Sequence, residues 1–521
     1  MNTESKSRPV RWWIPAVILA LAAANVIRVR LSTDIESNFK NMQSYMTAAL
    51  AAVLLLVWWT FFSRLRWRTR FVGLGLFALV IAAFTQLARI DGSADGSGKL
   101  QIVWTWTPKK DGNVAGLETA IATTNRAALV AASDYPGYLG RDRRGVVEGI
   151  ELERDWIAHP PQQLWRKPIG LGWSAFAVAG SRAVTQEQRG ESELVTAYDL
   201  SSGHVIWAHT NFVRFSETLG GDGPRATPTL ADGRVYALGA TGLLDCLDGA
   251  TGKVVWSRDT LKENGLPNLI WAKSSSPLVA DKLVIVSGGF TNGPALLAYR
   301  REDGSPAWRS GSDKASYSSP TLAMLGGKLQ IVTVNAASVS AHDPADGRVL
   351  WEFAWGTDKW AKCAQPVGVG SGRVFLSAGY GLGCVLVQIR SQPDGSFAVA
   401  ELWKNRNLKS QFSNVVVRDG FIYGLDDGIL VCLDLATGER KWKDGRYGHG
   451  QVLLVSDTLL IQAEPGQIVL ADANPSAFRE MGKLEALSSK TWNTPALAGD
   501  LLLVRNDQEA VCYRLPMKRK N

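Results

Sequence analysis

Residues Cys246 to Trp256 read CLDGATGKVVW, and Cys432 to Trp442 read CLDLATGERKW. The shared form is a small residue, an Asp two places on, a Gly four after that and a Trp four after the Gly. Copies end at Trp207 (AYDLSSGHVIW), Trp308 (AYRREDGSPAW) and Trp351 (AHDPADGRVLW), with a stretched copy ending at Trp403 and a degraded one at Met481. An apolar run closed by Asp, a Gly for a tight turn and a second run of β-formers make a β-hairpin with a bulky anchor. Successive anchors stand about 39 to 52 residues apart, which suits a unit of four strands.

Upstream of each hairpin runs a second recurring line, aligned on its proline: RATP ending at Pro228, SSSP at Pro277, YSSP at Pro320, CAQP at Pro366 and WNTP at Pro495. WSAF ending at Phe176, FSNV at Val415 and HGQV at Val452 replace the proline with an apolar residue, giving eight starts. The last unit lacks its Trp strand, and an unclaimed one stands before the first start, in QQLWRKPIG around Trp165. Pairing the two ends of the chain in one sheet closes a ring without free edges. The expected fold is therefore all-β, an eight-bladed β-propeller over residues 161–516 with blade anchors Trp165, Trp207, Trp256, Trp308, Trp351, Trp403 and Trp442.

The run of Asp-x-x-x-Gly-x-x-x-Trp units resembles the pyrroloquinoline-quinone-type repeats of eight-bladed quinoprotein-like β-propellers, over roughly residues 160–516. Stretches such as GPRATPTLADGRVYALGATG and KTWNTPALAGDLLLVRND are similar to a membrane-anchored bacterial subgroup of mostly unassigned function. One branch of the resemblance implies dehydrogenases of alcohols or sugars that hold the quinone over the ring centre with Ca²⁺. A second branch, the propeller lipoprotein of the outer-membrane barrel assembly machinery, implies a scaffold without a cofactor.

The 90 residues at the start read as a membrane anchor. Apolar runs at about 12–27, 45–62 and 71–88 each approach the roughly 20 residues that a helix needs to cross a bilayer. Residues 1–99 hold 12 Lys/Arg against 5 Asp/Glu, and the remainder 45 against 43, so the basic excess marks this end and argues against a nucleic-acid face. Arg64, Arg66, Arg68 and Arg70 crowd the second connection without an acid, which keeps it cytoplasmic by the positive-inside bias. Three spans then carry the propeller across a bacterial inner membrane to the periplasmic side, anchoring it where the lipoprotein branch uses a lipidated Cys. Residues 91–160 are expected to be linker and lead-in: DGSADGSG a flexible exit, LQIVWTWTP a strand, and GLETAIATTNRAALVAA a helix by its spacing. Residues 517–521 form a basic tail.

Chemistry is sparsely written. The five cysteines include no vicinal pair and no Cys-x-x-Cys-His haem attachment, and Cys246, Cys384, Cys432 and Cys512 stand at apolar strand positions. If the start motifs are innermost strands, Trp173, Arg225, Lys273, Tyr317, Lys362, Gln411, His449 and Trp492 crowd one mouth of the channel, with Asn414 and Asn493 nearby. Cations and indoles around a funnel suit a planar anion such as a quinone tricarboxylate. A wet channel lined by polar strand ends is described equally well. Glu187, Asp426 and Asp427 are the candidate Ca²⁺ ligands or bases, with solvated turn acids the alternative. The reading is a membrane-anchored binding or scaffold module for envelope proteins or an anionic ligand, with no assigned catalytic residue or metal; the alternative is a pyrroloquinoline quinone and Ca²⁺-dependent dehydrogenase.

Overall fold

The computed structural model describes residues 9–108, 110 and 133–518, in two compact units, 1–108 and 109–521. The expected helix of residues 116–132 and the last three residues of the tail lie outside the described residues.

Among its described residues the first unit holds three helices long and apolar enough to cross a membrane: α1 Trp13–Leu31, α2 Ser37–Val57, which continues as a π-turn over Trp58–Phe62, and α3 Trp67–Leu87. They overrun the apolar stretches because a helix satisfies its own backbone beyond the point where side chains turn polar. Asn25 donates to Thr47 Oγ1 at 2.8 Å between α1 and α2. Arg70 reaches back from α3 to the carbonyls of Leu65 and Thr60, at 2.9 and 2.7 Å, which fastens the Arg-rich connection. The expected flexible exit is instead a hairpin: Ala88–Ser93 pairs antiparallel with Leu100–Trp104, and Asp95 holds Ser97 in the turn. Asp and Ser side chains bond their own backbone two residues on, so an Asp/Ser/Gly run forms a turn as readily as a linker.

The second unit is an eight-bladed propeller. Seven four-stranded antiparallel blades follow one another from residue 177 to 485, and the eighth joins residues 496–514 to Gln162–Pro168. Trp165 thus pairs with Cys512 as Trp256 pairs with Cys246 and Trp442 with Cys432, each beside a register shift of one residue. The small thiol beneath each ring leaves room for the indole.

Most anchors staple their blade to the next. The indole N–H donates to a carbonyl of the following blade: Trp165 to Leu200, Trp207 to Gly249, Trp256 to Arg301 and Trp403 to Leu435, at 3.0 to 3.2 Å. The ring lies on the turn glycine of that blade, where a Cβ would stand 2.5 Å from Trp207 at Gly252 and 2.7 Å from Trp165 at Gly203. Both glycines have positive φ, so turn geometry and indole contact require the same residue. The hydrogen bond is missing at Trp308, whose ring still lies on Gly347, and the whole pattern lapses at the stretched copy: Trp351 donates to Gln330 of its own blade, and a Cβ on Gly395 would meet nothing within 4 Å.

Around the channel the start motifs form a collar. The backbone N–H of Ala175, Thr227, Ser276 and Gln365 each donates to a side chain of the next blade, at Thr227, Ser276, Ser319 and Asn414. At the opposite end the lead-in closes the floor. Tyr135 pairs with Val178, Arg143 donates to the carbonyls of Ser276 and Pro277, and Val146–Val147 adds a parallel strand to Gln451–Val455. Tyr138 stands under the collar, where its hydroxyl accepts from Asn414 at 2.7 Å.

Candidate functional site

The first residues of the start motifs lie around the mouth: Trp173, Arg225, Ser274, Tyr317, Cys363, Phe412, His449 and Trp492. All but the buried His449 are half-exposed. Lys273, Lys362 and Gln411 do not belong to this ring. Each stands one residue before a motif start, and because side chains alternate along extended chain, a slip of one turns the side chain into the wall. The Lys273 ammonium donates to Ser287 and to the Gly288 carbonyl, and that of Lys362 to the carbonyls of Ala336 and Thr357. Burial pushes these two ammonium groups down to about 7 and about 8. Asn414 and Asn493 lie deeper, in the collar, Asn493 donating to the Ser174 carbonyl at 2.8 Å.

The rim that remains is aromatic. Trp173 and Trp492 stand 4.8 Å apart between ring centres, Phe412 lies 5.0 Å from Trp492, and His449 lies 5.6 Å from Phe412. Glu464 orders this side, accepting from the Trp492 indole at 2.6 Å and from the His449 backbone at 3.0 Å. Burial opposes its charge, but these bonds and the neighbouring imidazole hold its carboxyl below the usual range. Lys490 caps the pair of indoles, 4.2 Å from the Trp492 ring and 5.3 Å from that of Trp173. Across the mouth Trp271 packs on Tyr317 at 5.6 Å, and Trp360 stacks on Tyr380 at 5.2 Å. Trp271, Trp360, Tyr380 and Lys490 sit in loops whose lengths vary from blade to blade, so the repeat does not mark them, whereas Phe412 opens the start motif FSNV, one residue after the candidate Gln411.

Arg225 is also turned away. Its guanidinium lies 4.8 Å from the Phe215 ring and donates to the carbonyls of Gly221 and Gly223. The acids likewise have partners. Glu187 is fully buried, accepts from Gly170 and Tyr198 at 2.6 and 2.7 Å and pairs with Arg189 at 3.0 Å. Burial works against it, but Arg189, Tyr198 and Arg505 hold its carboxyl low. Asp426 pairs with Lys409 at 2.6 Å and with Lys443. Asp427, at a positive-φ turn, stands 3.7 Å from His449. A Ca²⁺-bound quinone needs carboxylates and cations presented to the channel, whereas Glu187 and Asp426 are neutralised in the walls and Arg225, Lys273 and Lys362 bind carbonyls. Those candidate residues do not fit that group. What the mouth can do is stack and dock apolar or aromatic surface.

One buried carboxyl beside the mouth has a measurable consequence. Glu193 accepts from the Ala240 backbone at 2.9 Å, and burial, with Asp245 close by, pushes its carboxyl up to about 7. A carboxyl whose folded pKa exceeds the unfolded value contributes stability below about pH 4.5, lost as pH rises through about 7. We expect Glu193→Gln to abolish a loss of up to about 3 kcal/mol between pH 4.5 and pH 8, measured by denaturant unfolding across that window. An unchanged pH profile in the variant would refute this assignment.

A family model described as outer membrane protein assembly factor BamB matches residues 160–265 and 191–444. The assembly factor BamB of Bordetella pertussis is 25% identical over 362 residues, covering 66% of this chain and 82% of that protein. The BamB of Shewanella oneidensis is 24% identical over 337 residues, covering 59% of this chain and 77% of its own. Among solved structures, the quinohemoprotein alcohol dehydrogenase of Comamonas testosteroni superposes with a TM-score of 0.54 at 13% identity, covering 76% of this chain and 82% of that one. That likeness is one of fold alone.

Proposed function

The chain belongs to the outer membrane protein assembly factor BamB family, and from that premise we propose that it is a membrane-tethered scaffold of the bacterial envelope. In this reading the three apolar helices hold it in the inner membrane, the propeller lies on the periplasmic side, and protein partners in outer-membrane protein assembly dock on its mouth face.

The observation that carries the reading is the apolar surface of the loops that enter the start motifs. Phe212 is 89% exposed, Ile270 61%, Leu219 45% and Trp360 39%, all on connections that topology places at the mouth. Large exposed apolar side chains gathered on one face of a soluble domain mark a surface for a partner, and aromatic anchors dominate the energy of such contacts. Arg225, Lys273 and Lys362 are held by backbone carbonyls and Lys490 lies on the indoles, which favours docking of apolar protein surface over capture of a small anion.

The test is site-specific photo-crosslinking in intact cells, with the reactive residue placed at Phe212, Ile270 or Trp360 and, as control, at Val254 on an outer strand. Adducts with defined proteins at the three mouth positions, absent at Val254, are expected. An alkaline phosphatase fused after Asn521 is expected to be active, and one fused after Arg66 inactive. Mouth positions that yield no adduct would overturn the scaffold reading, and an inactive fusion after Asn521 would overturn the topology.

A further inference from the structure

The floor of the propeller is half filled. The lead-in covers the inner strands of blades one, two and seven, and leaves beneath blades two to five a cleft of about 550 Å³. Its walls are the lead-in, including Arg141 and Arg144, the inner strands Leu278–Ala280 and Thr321–Leu325, and Arg373.

The backbone of those strands has a specific property. In blade four, Leu325 and Lys328 flank a two-residue turn and form a hydrogen-bonded pair, so by alternation the N–H and C=O of Leu322 and Met324 point away from the sheet. The corresponding residues of blades one, two and seven are Val178, Leu230 and Leu454, each just before the last residue of its inner strand. The lead-in meets all three with backbone bonds: Val178 donates to Tyr135 at 2.7 Å, Leu230 to Pro136 at 2.7 Å and Leu454 to Gly145 at 2.8 Å. Val279 and Met324, the same position in blades three and four, receive no such bond among the described residues. Met324 is 63% exposed, and the Arg373 Nε finds no hydrogen-bond partner.

We propose that this cleft binds an extended acidic segment of a partner protein, which adds as a strand to the open inner edge at Met324 and sets its carboxylates against Arg141, Arg144 and Arg373. The propeller already accepts extended chain at three equivalent edges, so the fourth asks for no new geometry. Strand addition supplies the main-chain bonds, and alternating side chains supply the choice of sequence. Arginine forks pair with carboxylates in two parallel bonds, and Asp142, paired with Arg144 at 3.3 Å, is the acid that an incoming carboxylate displaces. The cleft is within the size range of built ligand sites. The inference rests on the scaffold reading in that it takes a protein chain as the ligand.

The full chain in detergent is titrated with a fluorescein-labelled hexapeptide of alternating Glu and Val, and with the same peptide methylated on every peptide nitrogen, followed by anisotropy. Saturable binding is expected for the first peptide, about tenfold weaker in Arg373→Glu, and lost for the methylated peptide, which keeps every charge and lacks the strand-forming N–H groups. Equal binding of the methylated peptide would reduce the effect to adsorption on arginines and overturn the strand pairing. Binding unchanged in Arg373→Glu would overturn the charge complementarity, and no binding would overturn both. If crosslinks at Phe212 and Trp360 persist while the peptide fails, the floor inference falls alone; if both fail, the scaffold reading falls with it.

Discussion

Gly252→Leu is expected to destabilise the propeller by about 2–5 kcal/mol, the sum of a left-handed backbone imposed on a side chain and a side chain forced into a packed ring. Gly252 has φ +71°, and its absent Cβ would stand 2.5 Å from the Trp207 indole of the preceding blade. Trp207 is itself 5% exposed and fastened to the Gly249 carbonyl, so it has no room to withdraw. Gly395→Leu is the control. It has φ +81° with nothing within 4 Å, so it carries only the backbone contribution of about 1–2 kcal/mol. Denaturant unfolding followed by tryptophan fluorescence compares the two. Equal losses would mean that the indole contact adds nothing, and the repeat would then be explained by turn geometry alone.

Arg505→Met should cost about as much, roughly 3–5 kcal/mol, because it removes one charge from a buried network and strands the rest. Arg505 is 1% exposed and donates to Thr185 Oγ1 and the Gln186 carbonyl at 2.9 and 2.8 Å, and to the Gly170 carbonyl at 2.8 Å. It ties the eighth blade to the first across the seam where the ring closes. The carbonyls left behind are buried acceptors without donors, and Glu187 loses one of the cations that hold its carboxyl low. Adding Glu187→Gln to Arg505→Met is expected to recover part of the loss, since the two share one network. A loss below about 1 kcal/mol for Arg505→Met would show the seam to be held by strand pairing alone.

The fold was legible because its repeat records one physical contact. A Gly that must turn and an indole that must lie on it recur together, and Trp165, displaced to the front of the chain, announced the closing strand. The mouth was legible only in part. Trp173, Arg225, Tyr317, His449 and Trp492 are in register with the motif starts, whereas Lys273, Lys362 and Gln411 precede them by one residue, and on extended chain one residue changes the face. Charge was a poor guide there. A lysine reads as a cation offered to a ligand, but Lys273 and Lys362 satisfy carbonyls in the blade walls. The acids misled in the same way: Glu187 and Asp426 are internal ion-pair partners, which residue type alone does not distinguish from metal ligands. The floor left no periodic trace, because the lead-in pairs with the inner strands of only three blades and repeats nothing.

The closing strand has a consequence in time. Arg166 on that strand meets Tyr513 across 347 positions of chain, so the segment emerges early in synthesis and finds its place only when nearly everything else has emerged. Until then Gln162–Pro168 is an unpaired edge with an exposed Trp165, and the first blade lacks the indole that rests on its turn. Such waiting edges are where nascent β-proteins aggregate, and contacts of so long a range form late. The topology therefore predicts that the ring assembles as an open arc and that its last event joins the two ends of the domain.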